Sequence, residues 1–329
     1  MQKLHLTLSC WDYDRVRPLF DGTIQPEGIE ITPIINRPSE TFYRMLRFSE
    51  FEAAELSLAN YTMLRARGDT SFIAIPVFPS RMFRHNCIYV NKESGIDEPK
   101  DLAGKRVGVP EYSMTAAVFA RGLLLHEYGV TPDTIEWFSG TQDGLARPSR
   151  IDFEPPPGVV LHRMPMEQDM GPMLESGELD AIISPNLPAV FNDDPSPVRR
   201  LFENYREAEK DYFARTGIFP IMHTVVLRRE IYEANPWAAQ SLYVAFAKAK
   251  AYAYEQLEET DALKVTLPWV LAELEETRRI MGDDFWAYGI GPNRPALEAL
   301  PQYLHEQGLA DRAPNVEELF APNTLDPVG

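Results

Sequence analysis

The feature that most constrains this chain is the alternation of short apolar segments with amphipathic ones over its first ninety residues. Residues 3–9 alternate apolar and polar positions and predict a strand, and residues 28–34 predict a second. Ser39 is placed to cap a helix running through Arg47. Residues 51–57 read as a strand that passes into a helix, which continues through Met63 and Arg67 and stops at Gly68. Residues 72–78 read as a buried strand. A β-α-β-α-β order implies a mostly parallel sheet.

A second α/β block follows. Residues 86–91 are strand-like, 92–106 are polar and turn-rich, 107–109 predict a strand, and 116–128 predict a helix after the loop 110–115. Residues 179–184 predict the last strand of this block. Residues 142–158, with Pro148 and the run Pro155-Pro156-Pro157, read as a surface loop, and the turn-rich stretch 185–197 as a return crossing. Strands are expected at 198–202 and 220–227. The remainder predicts helices over 236–258, 267–281 and 295–307.

One short run carries an unusual charge pattern. Val77-Phe78-Pro79-Ser80-Arg81-Met82-Phe83-Arg84-His85 sets two arginines and a histidine among apolar neighbours, in a chain with 49 acidic and 32 basic residues and a formal net charge of −17. Arginine offers a planar fork that matches a carboxylate, and histidine moves protons near neutral pH. The run fits either a sheltered pocket for a small anion with an apolar body or a surface loop whose arginines pair with nearby acids. The overall negative charge argues against nucleic acid and anionic membrane surfaces as partners.

Other chemistries leave no trace. Cys10 and Cys87 are too few for a disulfide framework, and Cys-x-x-Cys and His-x-x-x-His pairs and Asp-rich calcium loops are absent. Gly-rich dinucleotide, P-loop and Gly-x-Ser-x-Gly motifs are absent too, so the expectation is no cofactor. A distributed metal site built from His85, His223 and Glu55 stays open. No apolar stretch of signal-peptide length follows the first residues and none is long enough to span a membrane, so a cytoplasmic protein is expected. The helical C-terminal third offers surface for self-association.

The phrase Asp101-Leu102-Ala103-Gly104-Lys105-Arg106-Val107-Gly108-Val109 resembles the opening of the second lobe in two-lobed, periplasmic-binding-protein-like folds of type II. Residues 75–85, 110–117, 216–225, 286–293 and 317–322 narrow the match, and together they resemble the 4,5-dihydroxyphthalate decarboxylase family over nearly the whole chain. That resemblance implies an α/β fold of two lobes with mixed, mostly parallel sheets and a cleft between them. Lobe one is then 1–90 plus 190–329, and lobe two is 91–189. It implies a carboxy-lyase that turns 4,5-dihydroxyphthalate into 3,4-dihydroxybenzoate (protocatechuate) and carbon dioxide, by protonating the ring carbon that bears the carboxylate. A solute-binding protein for a small organic anion and a decarboxylase of a related aromatic acid are the alternatives.

Within that frame, an aromatic dicarboxylate needs two clamps. Arg81 and Arg84 are candidates from lobe one, and the loop Tyr112, Ser113, Met114 and Thr115 from lobe two, where a strand-to-helix turn presents backbone N–H groups. Ser113 reads equally as a helix cap. His223 and His85 are the proton-handling candidates, although His223, in an apolar strand, also fits a core residue. Burial beside Arg84 is expected to lower the His85 pKa. Glu55 is placed to accept from a substrate hydroxyl or to pair with Arg81 or Arg84, a purely structural ion pair included. Trp11 is placed to stack on the ring, Asp14 to edge the cleft, Glu111 to accept from a phenol, and Asn186 to line the far side.

Overall fold

In the computed structural model, which describes residues 3–145 and 150–326, the strands fall into two sheets. In chain order they are β1 (Leu4–Ser9), β2 (Ile29–Ile34), β3 (Ala53–Ser57), β4 (Phe72–Arg81), β5 (Ile88–Asn91), β6 (Arg106–Val109), β7 (Glu136–Ser139), β8 (Val160–Arg163), β9 (Ala181–Ile183), β10 (Val198–Arg200) and β11 (Ile221–Arg228). The first sheet has the order β2-β1-β3-β11-β4 and the second β10-β5-β9-β6-β7-β8. Two segments, 82–87 and 201–220, carry the chain from one sheet to the other and back.

The first sheet is mixed, as the expected fold class has it, with one strand running against the others. β1 runs parallel to β2 and β3, but β11 lies antiparallel between β3 and β4. An apolar run reads the same in either direction, so its periodicity carries no polarity. All five residues of β3 are buried, including Glu55. β4 holds Pro76 and Pro79, which lack an N–H, and it sits at the sheet edge, where proline is tolerated. Gly289 and Ala321 cover that edge by donating to the carbonyls of Pro76 and Ala74.

The β4–β11 register slips on both sides of His223, which pairs with Ser80 of β4 and with Ser57 of β3. Such a bulge bends the strand and re-aims a side chain. The helix Thr115–Tyr128 follows β6. Its Gly122 lies against the Tyr303 ring of the helix Arg294–Glu306, where a Cβ would come within 2.2 Å of the ring.

The boundaries differ from the sequence expectation at both crossings. β10 pairs with β5 in the second sheet, although a boundary at 190 puts it in lobe one, and a boundary at 90 cuts through β5. The helices Met170–Ser176 and Tyr205–Thr216 and the strands β7 and β8 are additional to those read from the sequence. The stretch 142–158 is not simply a surface loop, because Gln142, Arg150 and Ile151 are buried; its residues 146–149, Pro148 among them, lie outside the described residues. No helix among the described residues is long and apolar enough to cross a membrane.

Candidate active site

The carboxyl ends of the parallel strands converge on one cleft of about 780 Å³. Trp11 and Tyr13 follow β1, Arg37 follows β2, Ser57 ends β3, and Ser80 and Arg81 end β4. From the second sheet come Met114, Thr115 and Ala116 after β6, Asp143 after β7, and Asn186 after β9. Arg84, Arg150, Phe42, Met222 and His223 also line it.

Glu55 and His223 form the centre. β3 and β11 are neighbours, which brings a fully buried carboxylate to 2.5 Å from His223 Nδ1. The same oxygen accepts from the Tyr13 hydroxyl at 2.7 Å. The other accepts from the Trp11 N–H at 3.0 Å and the Cys10 thiol at 3.4 Å. Burial alone pushes the Glu55 carboxyl up, but His223, Tyr13 and the Trp11 N–H outweigh it and hold the group below the usual carboxylate range. Glu55 is therefore an anion that fixes the His223 ring through Nδ1 and leaves Nε2 for a ligand. Phe42 supports that ring edge-on, with centroids 4.8 Å apart. Burial and the nearby Glu55 push the Tyr13 hydroxyl and the Cys10 thiol up, so both stay protonated donors.

Arg81 and Arg84 are buried, at 8% and 5% exposure. Among the described residues neither has a carboxylate within 4.0 Å. Arg81 donates to the carbonyls of Phe219 at 2.8 Å and Ala287 at 3.2 Å, lies over the Phe219 ring, and keeps Nε without a partner. Arg84 donates to the Met222 sulfur at 3.2 Å and keeps one terminal nitrogen unpartnered. Burial pushes the Arg81 guanidinium down to about 9 and lowers that of Arg84. Glu209 acts on Arg84 and Asp284 on Arg81 only from beyond 4.0 Å, so both buried guanidinium groups are placed to take a closer anion from the cleft. At the second-sheet side, the helix Thr115–Tyr128 opens on the cleft, and the Thr115 hydroxyl is held by Ser57 at 2.9 Å and by the Ala59 N–H at 3.1 Å.

A relative from Comamonas testosteroni named 4,5-dihydroxyphthalate decarboxylase is 40% identical over 326 residues, 99% of each chain. A second, from Pseudomonas putida and of the same name, is 37% identical over 65% of this chain and 83% of its own. The chain belongs to the 4,5-dihydroxyphthalate decarboxylase family. Residues 14–147 of this family member also match the model described as ABC transporter, phosphonate, periplasmic substrate-binding protein. The periplasmic aliphatic sulphonate binding protein of Escherichia coli shares its fold at 14% identity, with a TM-score of 0.56 and coverage of 98% of this chain and 99% of that one.

In this decarboxylase-family chain the cleft gathers some sequence candidates and leaves out others. Glu55, His223, Arg81, Arg84, Trp11, Met114, Thr115 and Asn186 meet there, Glu55 through its hold on the lining residues. Glu55 pairs with His223 and not with either arginine. His85 lies off the cleft, wedged between Phe202 and Tyr212, and burial first, then Arg215 rather than Arg84, pushes its pKa down to about 4. The set His85, His223 and Glu55 is thus not brought together, and the described residues hold no group of three or more His, Cys, Asp or Glu placed for a metal ion.

Asp14 points to solvent and pairs with Arg15. Tyr112 is core, stacked on Phe153 and under the Arg121 guanidinium. Ser113 is buried and donates to Glu111, while Met114 occupies the helix cap position. Glu111 is buried behind the wall and pairs with Arg150 at 3.0 Å. Tyr13, Arg37, Asp143 and Arg150 are cleft residues that sequence reasoning missed. Tyr13 was within reach of it, two positions after Trp11 in the segment that leaves β1.

Proposed function

We propose that the chain is a carboxy-lyase that converts 4,5-dihydroxyphthalate into 3,4-dihydroxybenzoate and carbon dioxide in this cleft. The observation that carries the reading is the His223–Glu55 pair in a cleft walled by buried arginines with no carboxylate of their own. Arg81 and Arg84 bind the dianionic edge of the ring. Trp11, one-third exposed at the rim, offers its face to the ring, and Asp143 and Asn186 offer acceptors for the hydroxyls.

The protonated His223 gives its Nε2 proton to the ring carbon bearing the leaving carboxylate. The hydroxyl para to that carbon supplies electron density and stabilises the charge on the ring. The carbon–carbon bond then breaks, its electron pair restores aromaticity, and carbon dioxide departs. Each turnover takes up one proton, which returns to His223 from solvent. Glu55 holds Nδ1–H throughout and offsets the imidazolium charge. The route uses no organic cofactor, and that is part of the proposal.

Release of carbon dioxide from 4,5-dihydroxyphthalate, measured with and without a chelator, tests this. Release that survives the chelator supports the reading as written. Release lost with the chelator and restored by a metal moves the charge stabilisation to that ion. No release, with a melting temperature raised by the diacid, makes the protein a binding protein or an enzyme of a neighbouring acid. We also place the protein in the cytoplasm as a self-associating enzyme. Exposed Leu263, Val265, Leu267 and Trp269 in the C-terminal third favour association, and fractionation and sedimentation check both statements.

A further inference from the structure

We infer that Arg150 orients the leaving carboxylate, and that Glu111 tempers its charge so that orientation does not become ground-state stabilisation. This rests on the decarboxylase reading above and assigns its two carboxylates to different arginines. Arg150 differs from Arg81 and Arg84 in one respect: it brings its own carboxylate. Its guanidinium nitrogen lies 3.0 Å from a Glu111 oxygen, with both side chains about 5% exposed or less. Glu111 is held from behind by the Ser113 hydroxyl at 3.0 Å, and Ser113 by the Asn60 amide at 3.5 Å, so the carboxylate stays off the cleft wall. Arg150 itself lines the cleft.

Position matches the role. The Arg150 guanidinium lies over Phe42, 5.1 Å from the ring centroid, and Phe42 meets the His223 ring edge-on. The guanidinium therefore sits one aromatic ring away from the proton donor. The chemistry explains the charge pairing. A leaving carboxylate loses its charge as carbon dioxide forms. A full cation against it stabilises substrate more than transition state and slows the step. A guanidinium partly neutralised by Glu111 keeps the direction of its N–H groups with less net charge. The retained carboxylate stays anionic from substrate to product. Arg81 and Arg84, with no carboxylate within 4.0 Å, can bind it strongly without a cost in rate.

The test is steady-state kinetics of Glu111→Gln and of the double variant Glu111→Gln/Arg150→Met, with inhibition by the monoacid product. Removing both partners avoids stranding a buried charge. Unmasking Arg150 in Glu111→Gln is expected to lower KM and kcat together, each roughly tenfold. In the double variant kcat is expected to fall roughly a hundredfold or more. The inhibition constant of 3,4-dihydroxybenzoate, which lacks the leaving group, stays within about twofold in both. A Glu111→Gln enzyme with unchanged kcat, or one that loses product and substrate binding equally, overturns the assignment.

Calorimetry with phthalate and benzoate separates this from the activity itself. Glu111→Gln should tighten phthalate and leave benzoate unchanged, even if the wild type releases no carbon dioxide and the decarboxylase reading fails. Equal shifts for the two acids overturn the inference.

Discussion

Replacing Glu55 by glutamine tests the centre of the site with almost no change in shape. Four donors converge on the two carboxylate oxygens: His223 Nδ1, the Tyr13 hydroxyl, the Trp11 N–H and the Cys10 thiol. A glutamine keeps one acceptor oxygen, and whichever way its amide turns, the NH₂ group faces two of those donors. The Trp11 N–H cannot reverse its role, so the amide settles with NH₂ toward Tyr13 and His223. It then asks Nδ1 to accept, which an imidazolium cannot do. Two charge-assisted bonds, worth about 1.5–3 kcal/mol each, are exchanged for neutral ones worth about 1 kcal/mol. The net destabilisation is about 1–4 kcal/mol, or a fall in Tm of roughly 1–6 °C for a chain of 329 residues. The proton donor is lost with it, so kcat drops about 10²–10⁴-fold while KM moves little. Carbon dioxide release at saturating 4,5-dihydroxyphthalate, beside a thermal melt, reads both numbers. A variant that melts lower yet keeps kcat within about threefold of wild type would reduce Glu55 to a structural anchor with no part in the proton transfer.

Three further outcomes are expected. His223→Ala abolishes release, and the folded variant still binds the monoacid product; near-normal turnover removes His223 from the mechanism. Arg81→Ala raises KM roughly a hundredfold with a smaller effect on kcat, as loss of uniform binding to a retained carboxylate requires, and an unchanged KM assigns the residue to structure. His85→Phe keeps kcat within about threefold, because His85 packs between Phe202 and Tyr212 away from the cleft. The same variant carries a pH signature. With a folded pKa of about 4 against 6.5 unfolded, His85 contributes stability that is present above pH 6.5 and lost as pH falls toward 4, up to about 3 kcal/mol. The variant should therefore gain on wild type only below pH 6.5. Comparison at each pH separates this from Glu209, whose carboxyl burial pushes up to about 7 and which acts in the opposite sense. Melting temperatures that run parallel from pH 8 to pH 4 would contradict the placement.

Local pattern made much of this fold readable, and long-range pairing set the rest. The alternation in β1 and the turn at Gly68 reflect forces within a few residues, and those elements stand where the sequence puts them. The polarity of β11 and its seat between β3 and β4 depend on a pairing across some 140 intervening residues, which no window shows. Glu55 was legible as a cleft residue at a strand end, but its partner was not, because His223 reaches it only through that pairing. His85 and Tyr112 misled for a shared reason. His85 adjoins the cleft residue Arg84 and Tyr112 lies two positions before Met114, yet both side chains are buried in the core. Arg150 was hidden differently. It lies in a proline-rich stretch that reads as loop, and only the fold shows its burial against Phe42 and Glu111 at the cleft.

The insertion of β11 between two earlier strands has a consequence for synthesis. β3 and β4 leave the ribosome about 140 residues ahead of β11, a wait of roughly 7–30 s at ordinary elongation rates. For that interval the nascent first sheet holds two apolar strands with facing, unfilled edges. Because β11 is antiparallel to both, β3 and β4 point the same way, and they are able to zip together early as a parallel pair. That shortcut would shut the gap and leave Glu55 buried without His223. Only the chain that keeps the gap open until its last strand arrives sets His223 beside Glu55, so the same event that completes the sheet also assembles the pair at the centre of the cleft.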